Sequence, residues 1–266
     1  SLGSEDVVET IYLKLCAGDS FGWGESCPMK YPRFGPEWAG GAFRLISDVL
    51  APAVLSKHAG SGAEIQKAME PVKGNPFAKA AIDNAWWDMQ ARLEGKPLWR
   101  VIGGVQKPIR AGATFGRADD IDDLLGRVGR AVDAGANRIK LKFRDASDLP
   151  GLKAVRRAFP RIDTHVDCNR GLDSAQHGIF QELDSLDLKM IEEPVKARDL
   201  EANAAFRERC TTPVCLDESV GSTDDARRAL DIGACDWINL KPGRVGGVTA
   251  ALEIYRMCVE SGTGCW

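Results

Sequence analysis

Five charged residues recur along the chain at nearly constant spacing. They are Lys142, Asp167, Glu192, Asp217 and Lys241, separated by 25, 25, 25 and 24 residues. Three carboxylates brought together cannot all stay ionised without compensation. Oxygen donors with no His or Cys among them point to a hard cation, Mg²⁺ ahead of Ca²⁺ or Mn²⁺. The two lysines flank the carboxylates on either side. A substrate oxygen held by the cation would then lie between two proton carriers. That arrangement suits stabilisation of an enediolate beside a carboxylate, with a base on one face and an acid or second base on the other. Lys140, two residues before Lys142, supplies the neighbouring positive charge that draws a lysine pKa toward neutrality.

The spacing also dictates what must hold these residues. After Lys107 the chain alternates between strand-like and helix-like segments. Expected strands are 109–114, 138–143, 162–167, 189–192, 214–217 and 237–241, with helical runs such as 119–134, 174–186, 224–232 and 248–260 between them. One βα unit takes about 25 residues, so each charged residue falls at the C-terminal end of its own strand. Alternate residues in a strand share a face. Lys140 and Lys142 therefore face opposite Ile139, Leu141 and Phe143. Asp167 likewise faces opposite Val166, Glu192 opposite Ile191, Asp217 opposite Leu216, and Lys241 opposite Leu240. An apolar outer face and a charged inner rim are the geometry of a (β/α) barrel. The first hundred residues read instead as a small α+β block. It holds a hairpin over 7–25, a Pro/Gly-rich loop over 28–36, and helical periodicity over 37–55 and 75–93. Asn75 acts as N-cap before Pro76 in the second helix.

Taken singly, each residue has a plainer reading. Asp167 also suits a turn cap, and Lys241 before Pro242-Gly243 also suits an exposed loop. The second acid of each pair, Glu193 or Glu218, reads as a solvated loop acid or as a hydrogen-bond partner of the first. Asn169 either orients a ligand or closes an Asx-turn. Arg170 reaches a substrate anion or makes a surface salt bridge. His165 reads as a hydrogen-bonded core histidine, and Cys215 and Asn239 as packing or network residues. Gly243–Gly247 (GRVGG) has no Walker or GxGxxG pattern and reads as a tight strand-to-helix turn. The GWGE segment at 22–25 reads either as a mouth-covering loop or as an ordinary hairpin. The joint placement of the five charged residues carries the argument.

Composition excludes several classes. With 35 basic and 38 acidic residues in 266, and no basic-aromatic stripe, a nucleic-acid footprint is not expected. No apolar run approaches the roughly 20 residues of a membrane span. Eight cysteines without a CxxC pair read as reduced thiols of a cytoplasmic protein. The expected partner is a small carboxylate substrate.

The motifs KLK at 140–142, DCN at 167–169, MIEEP at 190–194, TPVCLDES at 212–219 and INLKPGRVGG at 238–247 resemble the enolase superfamily, within its muconate-lactonising-type subgroup. GWGE and NPFAKAAIDNAWWD in the first block fit as well. The longer phrases are most similar to those of o-succinylbenzoate synthases and N-acylamino acid racemases. The resemblance implies an α/β fold: an enolase-like α+β capping domain over residues 1–105, and a modified (β/α) TIM-type barrel over 106–266. It implies Mg²⁺, with Mn²⁺ as substitute, held by Asp167, Glu192 and Asp217. Lys142 would be the base, Lys241 the group on the opposite face, and Lys140 the tuner of Lys142 and a carboxylate contact. Asn169 and Glu218 would support them, with Arg170 as a substrate contact. The leading activity is dehydration to o-succinylbenzoate. The nearest alternative is N-acylamino acid racemisation; Asn169-Arg170-Gly171 differs from the smaller polar residues expected of these two activities, which leaves room for dipeptide epimerisation or muconate cycloisomerisation. A non-enzymatic scaffold is the disfavoured class. A homo-oligomer, dimer or octamer, is implied too. Length gives six βα units, and the chain reaches Trp266 where a seventh strand is expected to begin, so the last two strands are expected to be absent.

Overall fold

A computed structural model describes residues 7–32, 35–57, 59–169, 172, 177–195 and 199–266. Arg170, Phe34 and His58 lie outside them, and so does what was expected of Arg170. The chain divides into two compact units. One comprises residues 1–106, 221–226 and 240–257, and the other 107–220, 227–239 and 258–266.

In the first unit, β1 (Ile11–Ala17) pairs antiparallel with β2 (Ser20–Ser26). A helical stretch follows as α1 (Ala39–Leu45), a π-turn over Ile46–Leu50, and α2 (Ala51–Leu55). Pro52 withdraws one backbone donor just after the π-turn, a place where a widened turn is expected. Next come α3 (Gly62–Met69), which periodicity did not reveal, the central α4 (Pro76–Leu93) and the short α5 (Leu98–Val101). Alanines on α4 let β2 approach closely. A Cβ on Gly24 would stand 1.8 Å from the Ala81 carbonyl oxygen, and one on Gly22 would stand 2.1 Å from that of Ala85. The glycines of GWGE thus serve strand-on-helix contact. Asn75 occupies the N-cap position of α4 with φ +56° but caps nothing with its side chain. The Glu37 carboxylate takes the Phe77 and Ala78 N–H groups instead, at 3.0 Å each. Leu50, Ile65, Met69, Ile82 and Trp86 are among the residues forming this unit's core.

The strand–helix alternation follows. Along the chain, β3 (Gly112–Phe115), α6 (Ile121–Asp133), β4 (Arg138–Lys142), α7 (Leu149–Ala158), β5 (Asp163–Asp167), α8 (His177–Asp184), β6 (Ile191–Glu192), α9 (Leu200–Arg207), β7 (Val214–Leu216), α10 (Thr223–Asp231) and β8 (Trp237–Ile238) follow in order. Then come α11 (Pro242–Val245), α12 (Val248–Ser261) and β9 (Gly264–Cys265). All of these strands lie in the second unit, while the start of α10, α11 and most of α12 belong to the first. The sheet order is β3-β4-β5-β6-β7-β8-β9, with every pair parallel. Among the described residues it is an incompletely closed (β/α) barrel. Six strands were expected from length; the seventh, β9, pairs Gly264 with Trp237.

One face of the sheet is apolar. Ile139, Leu141, Val166, Ile191 and Val214 pack with Leu124, Val128, Leu152, Val155 and Leu183 from the helices. The opposite face is left to the polar residues. Asp184, the last residue of α8, fixes the turn that leads into β7. It accepts from the Thr211 and Thr212 N–H groups at 3.0 and 2.6 Å and from both hydroxyls at 2.9 and 2.7 Å. Partial burial works against the ionised form, but these bonds outweigh it and hold the Asp184 carboxyl well below its usual pKa. A depressed carboxyl pKa contributes stability that is present above the unfolded value and lost as pH falls through the folded one. Asp184→Asn is expected to cost about 1–3 kcal/mol at neutral pH. Below about pH 4 the difference from the parent chain should shrink, as read by urea unfolding at several pH values.

Candidate active site

The strand ladder aligns three of the five spaced residues directly. Lys142 pairs in register with Asp167, and Asp167 with Glu192. At the next strand the register steps. Glu192 stands opposite Cys215, two residues before Asp217. Parity survives the step, because residues two apart share a face, and stagger of this kind is how barrel strands tilt.

The side chains form one hydrogen-bonded cluster. The Lys140 Nζ donates to both Glu192 oxygens at 2.8 Å and lies 2.7 Å from Asp167 Oδ2. The Lys142 Nζ donates to Asp167 Oδ2 at 2.7 Å and to Asn169 Oδ1 at 2.6 Å. The Asn169 backbone N–H donates to Asp167 Oδ1 at 2.9 Å, closing the Asx-turn. Its side-chain amide donates to Glu218 Oε1 at 3.0 Å. Asn169 can do both because it takes φ +45°, a conformation asparagine tolerates. Asn239 donates to Glu192 Oε1 at 3.0 Å. The Glu192 carboxylate is fully buried, and Asp167 is 2% exposed.

Charge follows from this geometry. Burial opposes the Lys140 ammonium, but Glu192 and Asp167 outweigh it and raise its pKa. Burial also pushes Asp167 up, yet Lys140 and Lys142 bring its pKa below the usual value. Glu192 is pushed up, first by burial and then by the Asp167 charge. Lys140 therefore neutralises the Asp167 and Glu192 carboxylates from a position two residues before Lys142.

Three residues differ from or extend the sequence reading. His165 is fully buried, but neither ring nitrogen has a hydrogen-bond partner among the described residues. Burial holds its pKa down at about 3, so the ring is neutral. Trp266 was not singled out from sequence. Its indole lies edge-on to His165 with centroids 5.2 Å apart, has the Lys140 Nζ 5.3 Å from its ring centre, and donates to Cys215 Sγ at 3.2 Å. Only its in-phase position after β9 could have signalled this. Glu193 is no solvated loop acid. It is fully buried at φ +45°. Its Oε2 accepts the Asp217 N–H at 2.7 Å and the Ser219 N–H at 3.2 Å, and Oε1 accepts the Ser219 hydroxyl. Burial, countered by these bonds, pushes its pKa up to about 7.

Asp217 is 2% exposed, and its backbone is held by Glu193. Lys241 belongs to the first unit, at the N-cap of α11. As the side chains stand, no group of three or more His, Cys, Asp or Glu among the described residues is arranged to hold a metal ion. Lysine ammonium groups take the carboxylate oxygens instead. The donor set nonetheless suits a hard cation. Asp167 and Glu192 already close around one positive centre, Lys140 Nζ, with oxygen atoms alone. Glu218 Oε2 is buried without a hydrogen-bond partner among the described residues.

Glu193→Ala would leave two buried N–H groups of the β7 loop without their acceptor. The expected cost is about 2–5 kcal/mol in urea unfolding, with Glu193→Gln losing less because its amide oxygen still accepts. Equal stability of all three proteins would contradict this role.

Comparison with known proteins gives consistent results. Residues 123–266 match the family described as enolase C-terminal domain-like. Residues 12–103 match the N-terminal domain of mandelate racemase / muconate lactonizing enzyme. The chain is 38% identical over 268 residues to an o-succinylbenzoate synthase of Geobacillus kaustophilus, covering 100% of this chain and 71% of that one. It is 34% identical over 266 residues to an N-succinylamino acid racemase of Thermus thermophilus, covering 100% and 72%. A solved member of the enolase superfamily from Listeria innocua superposes with a TM-score of 0.92 at 32% identity, covering 96% of this chain and 69% of that one. Among the described residues no helix is long and apolar enough to cross a membrane.

Proposed function

The chain belongs to the enolase superfamily and is an enzyme, and from that premise we propose that it removes the proton α to the carboxylate of a small N-acylated amino acid and returns a proton to the same carbon. Membership brings with it a divalent-metal-dependent mechanism of lyase, racemase or isomerase type. The observation that carries the reading is the cluster itself: a lysine amine, Lys142 Nζ, 2.7 Å from a buried carboxylate that shares a second ammonium with its neighbour.

In this reading Asp167, Glu192 and Asp217 hold Mg²⁺, or Mn²⁺ in its place. Bound there, the cation supplies Lewis acidity toward the substrate carboxylate. Lys142, with its side chain 35% exposed, accepts the α-proton at Nζ. Asn169 and Asp167 orient that amine. Lys140 stays protonated, offsets the carboxylates and faces the substrate carboxylate. Lys241 delivers or removes the proton on the other face. Glu218 holds Asn169, and Arg170 contacts the substrate anion. Residues 1–105 act as the cap, 106–266 carry the chemistry, and the chain assembles as a homo-oligomer.

The reading leads with proton return because relatives bearing lyase and racemase names align along the whole chain at nearly equal identity, and both outcomes share the first proton transfer. Elimination to o-succinylbenzoate is the second reading, favoured by the 38% identical relative.

The test is proton NMR in D₂O with Mg²⁺ and both enantiomers of an N-succinylamino acid. The expected result is α-deuterium incorporation with inversion and no net elimination. Lys142→Ala should slow exchange by about 10²–10⁴-fold, while the exposed control Lys96→Ala should not. Unchanged exchange in Lys142→Ala would overturn the base assignment. Absence of exchange, together with turnover of a cyclohexadiene carboxylate to o-succinylbenzoate, would select the second reading; absence of both would end the substrate assignment.

A further inference from the structure

Within the first unit, a single buried carboxylate fastens the loop that follows Lys241. Asp83 on α4 is fully buried. Its Oδ2 accepts the Thr249 backbone N–H at 2.9 Å, and its Oδ1 accepts from Gln66 Nε2 at 2.9 Å. The same Gln66 nitrogen reaches the Gly246 carbonyl at 2.9 Å. Asn84 adds an acceptor for the Val248 N–H at 3.2 Å. The first N–H groups of a helix have no partner within it, so α4 caps α12 from outside.

The loop is shaped to this contact. Lys241 stands at the N-cap of α11, and the Gly247 N–H returns to the Pro242 carbonyl at 2.8 Å. Gly246 and Gly247 take φ +101° and +121°, which L side chains rarely adopt. A Cβ on Gly247 would stand 2.4 Å from Asp83 Oδ2. The turn from Lys241 to Thr249 is thus pinned at its far end by a carboxylate more than 150 residues away in sequence. A buried carboxylate is costly unless its bonds are made, so the loop has one well-defined seat.

We infer that Asp83, with Gln66 as its relay to Gly246, is a positioning residue for Lys241. The inference rests on the proposed role of Lys241 as the second proton carrier. It goes beyond that role in assigning its placement to the α4 helix.

The experiment is competitive acetylation of the full chain with acetic anhydride across a pH series, read lysine by lysine by peptide mass spectrometry. Parent chain, Asp83→Asn, Asp83→Ala and Gln66→Leu are compared. The expected result is a change of about threefold or more in Lys241 reactivity in the Asp83 variants. A smaller change in the same sense is expected in Gln66→Leu, with Lys142 and Lys96 unmoved. If Asp83→Ala does not fold, Asp83→Asn and Gln66→Leu give the answer. Lys241 reactivity within twofold of the parent, or an equal change at every lysine, would overturn the inference. Proton exchange in Lys241→Ala is measured alongside. Unaltered exchange there would refute Lys241 as proton carrier, whereas the acetylation pattern alone decides whether Asp83 places it.

Discussion

Two carboxylates buried side by side on neighbouring strands are the constraint around which the second unit is organised. Asp167 and Glu192 pair in register and are removed from water. Left alone, one of them would have to take up a proton. Lys140 prevents this by placing one ammonium within 2.8 Å of both. The Asn169 N–H satisfies the remaining oxygen, Asp167 Oδ1, and Lys142 and Asn239 add second donors to Asp167 Oδ2 and Glu192 Oε1. Removing one partner of such a buried pair leaves an uncompensated charge, at a cost of about 3–5 kcal/mol. The apolar face of the same strands, packed on its helices, keeps this polar cluster in fixed register.

An arrangement of this kind stores positive charge where chemistry can use it. In the proposed reading a cation would compete with these lysines for the Asp167 and Glu192 oxygens, and the substrate carboxylate would pair with the positive charge. The interior therefore reads as poised for exchange between an ammonium and a harder cation. Glu193 serves a different purpose. Fully buried, it holds the backbone of Asp217 and Ser219 and so ties the segment after β7 to the residue that follows Glu192.

Much of this was legible in the residues. A 25-residue interval is the length of a βα unit, so Lys142, Asp167 and Glu192 fall level by counting alone, and the ladder agrees. Counting cannot see the two-residue step between Glu192 and Asp217, because stagger arises from closing a twisted sheet. Parity could see that both residues face the same way. Other features depend on distant partners and leave no local trace. Glu37 caps α4 in place of Asn75, and Asp83 caps α12, both through tertiary contact. Glu193 turns inward through a left-handed backbone that the neighbouring Pro194 does not announce. His165 was expected to be hydrogen-bonded; it packs instead against Trp266 as a neutral ring.

In the proposed reading these buried carboxylates form an oxygen-only cation site whose charge supports removal of an α-proton. Titration of the full chain with Mn²⁺, with free ion followed by electron paramagnetic resonance, should then show one ion bound per chain, displaced by Mg²⁺, with binding lost in a folded Asp167→Asn, Glu192→Gln double variant. Failure of the parent chain to bind Mn²⁺, or undiminished binding by the double variant, would contradict that reading.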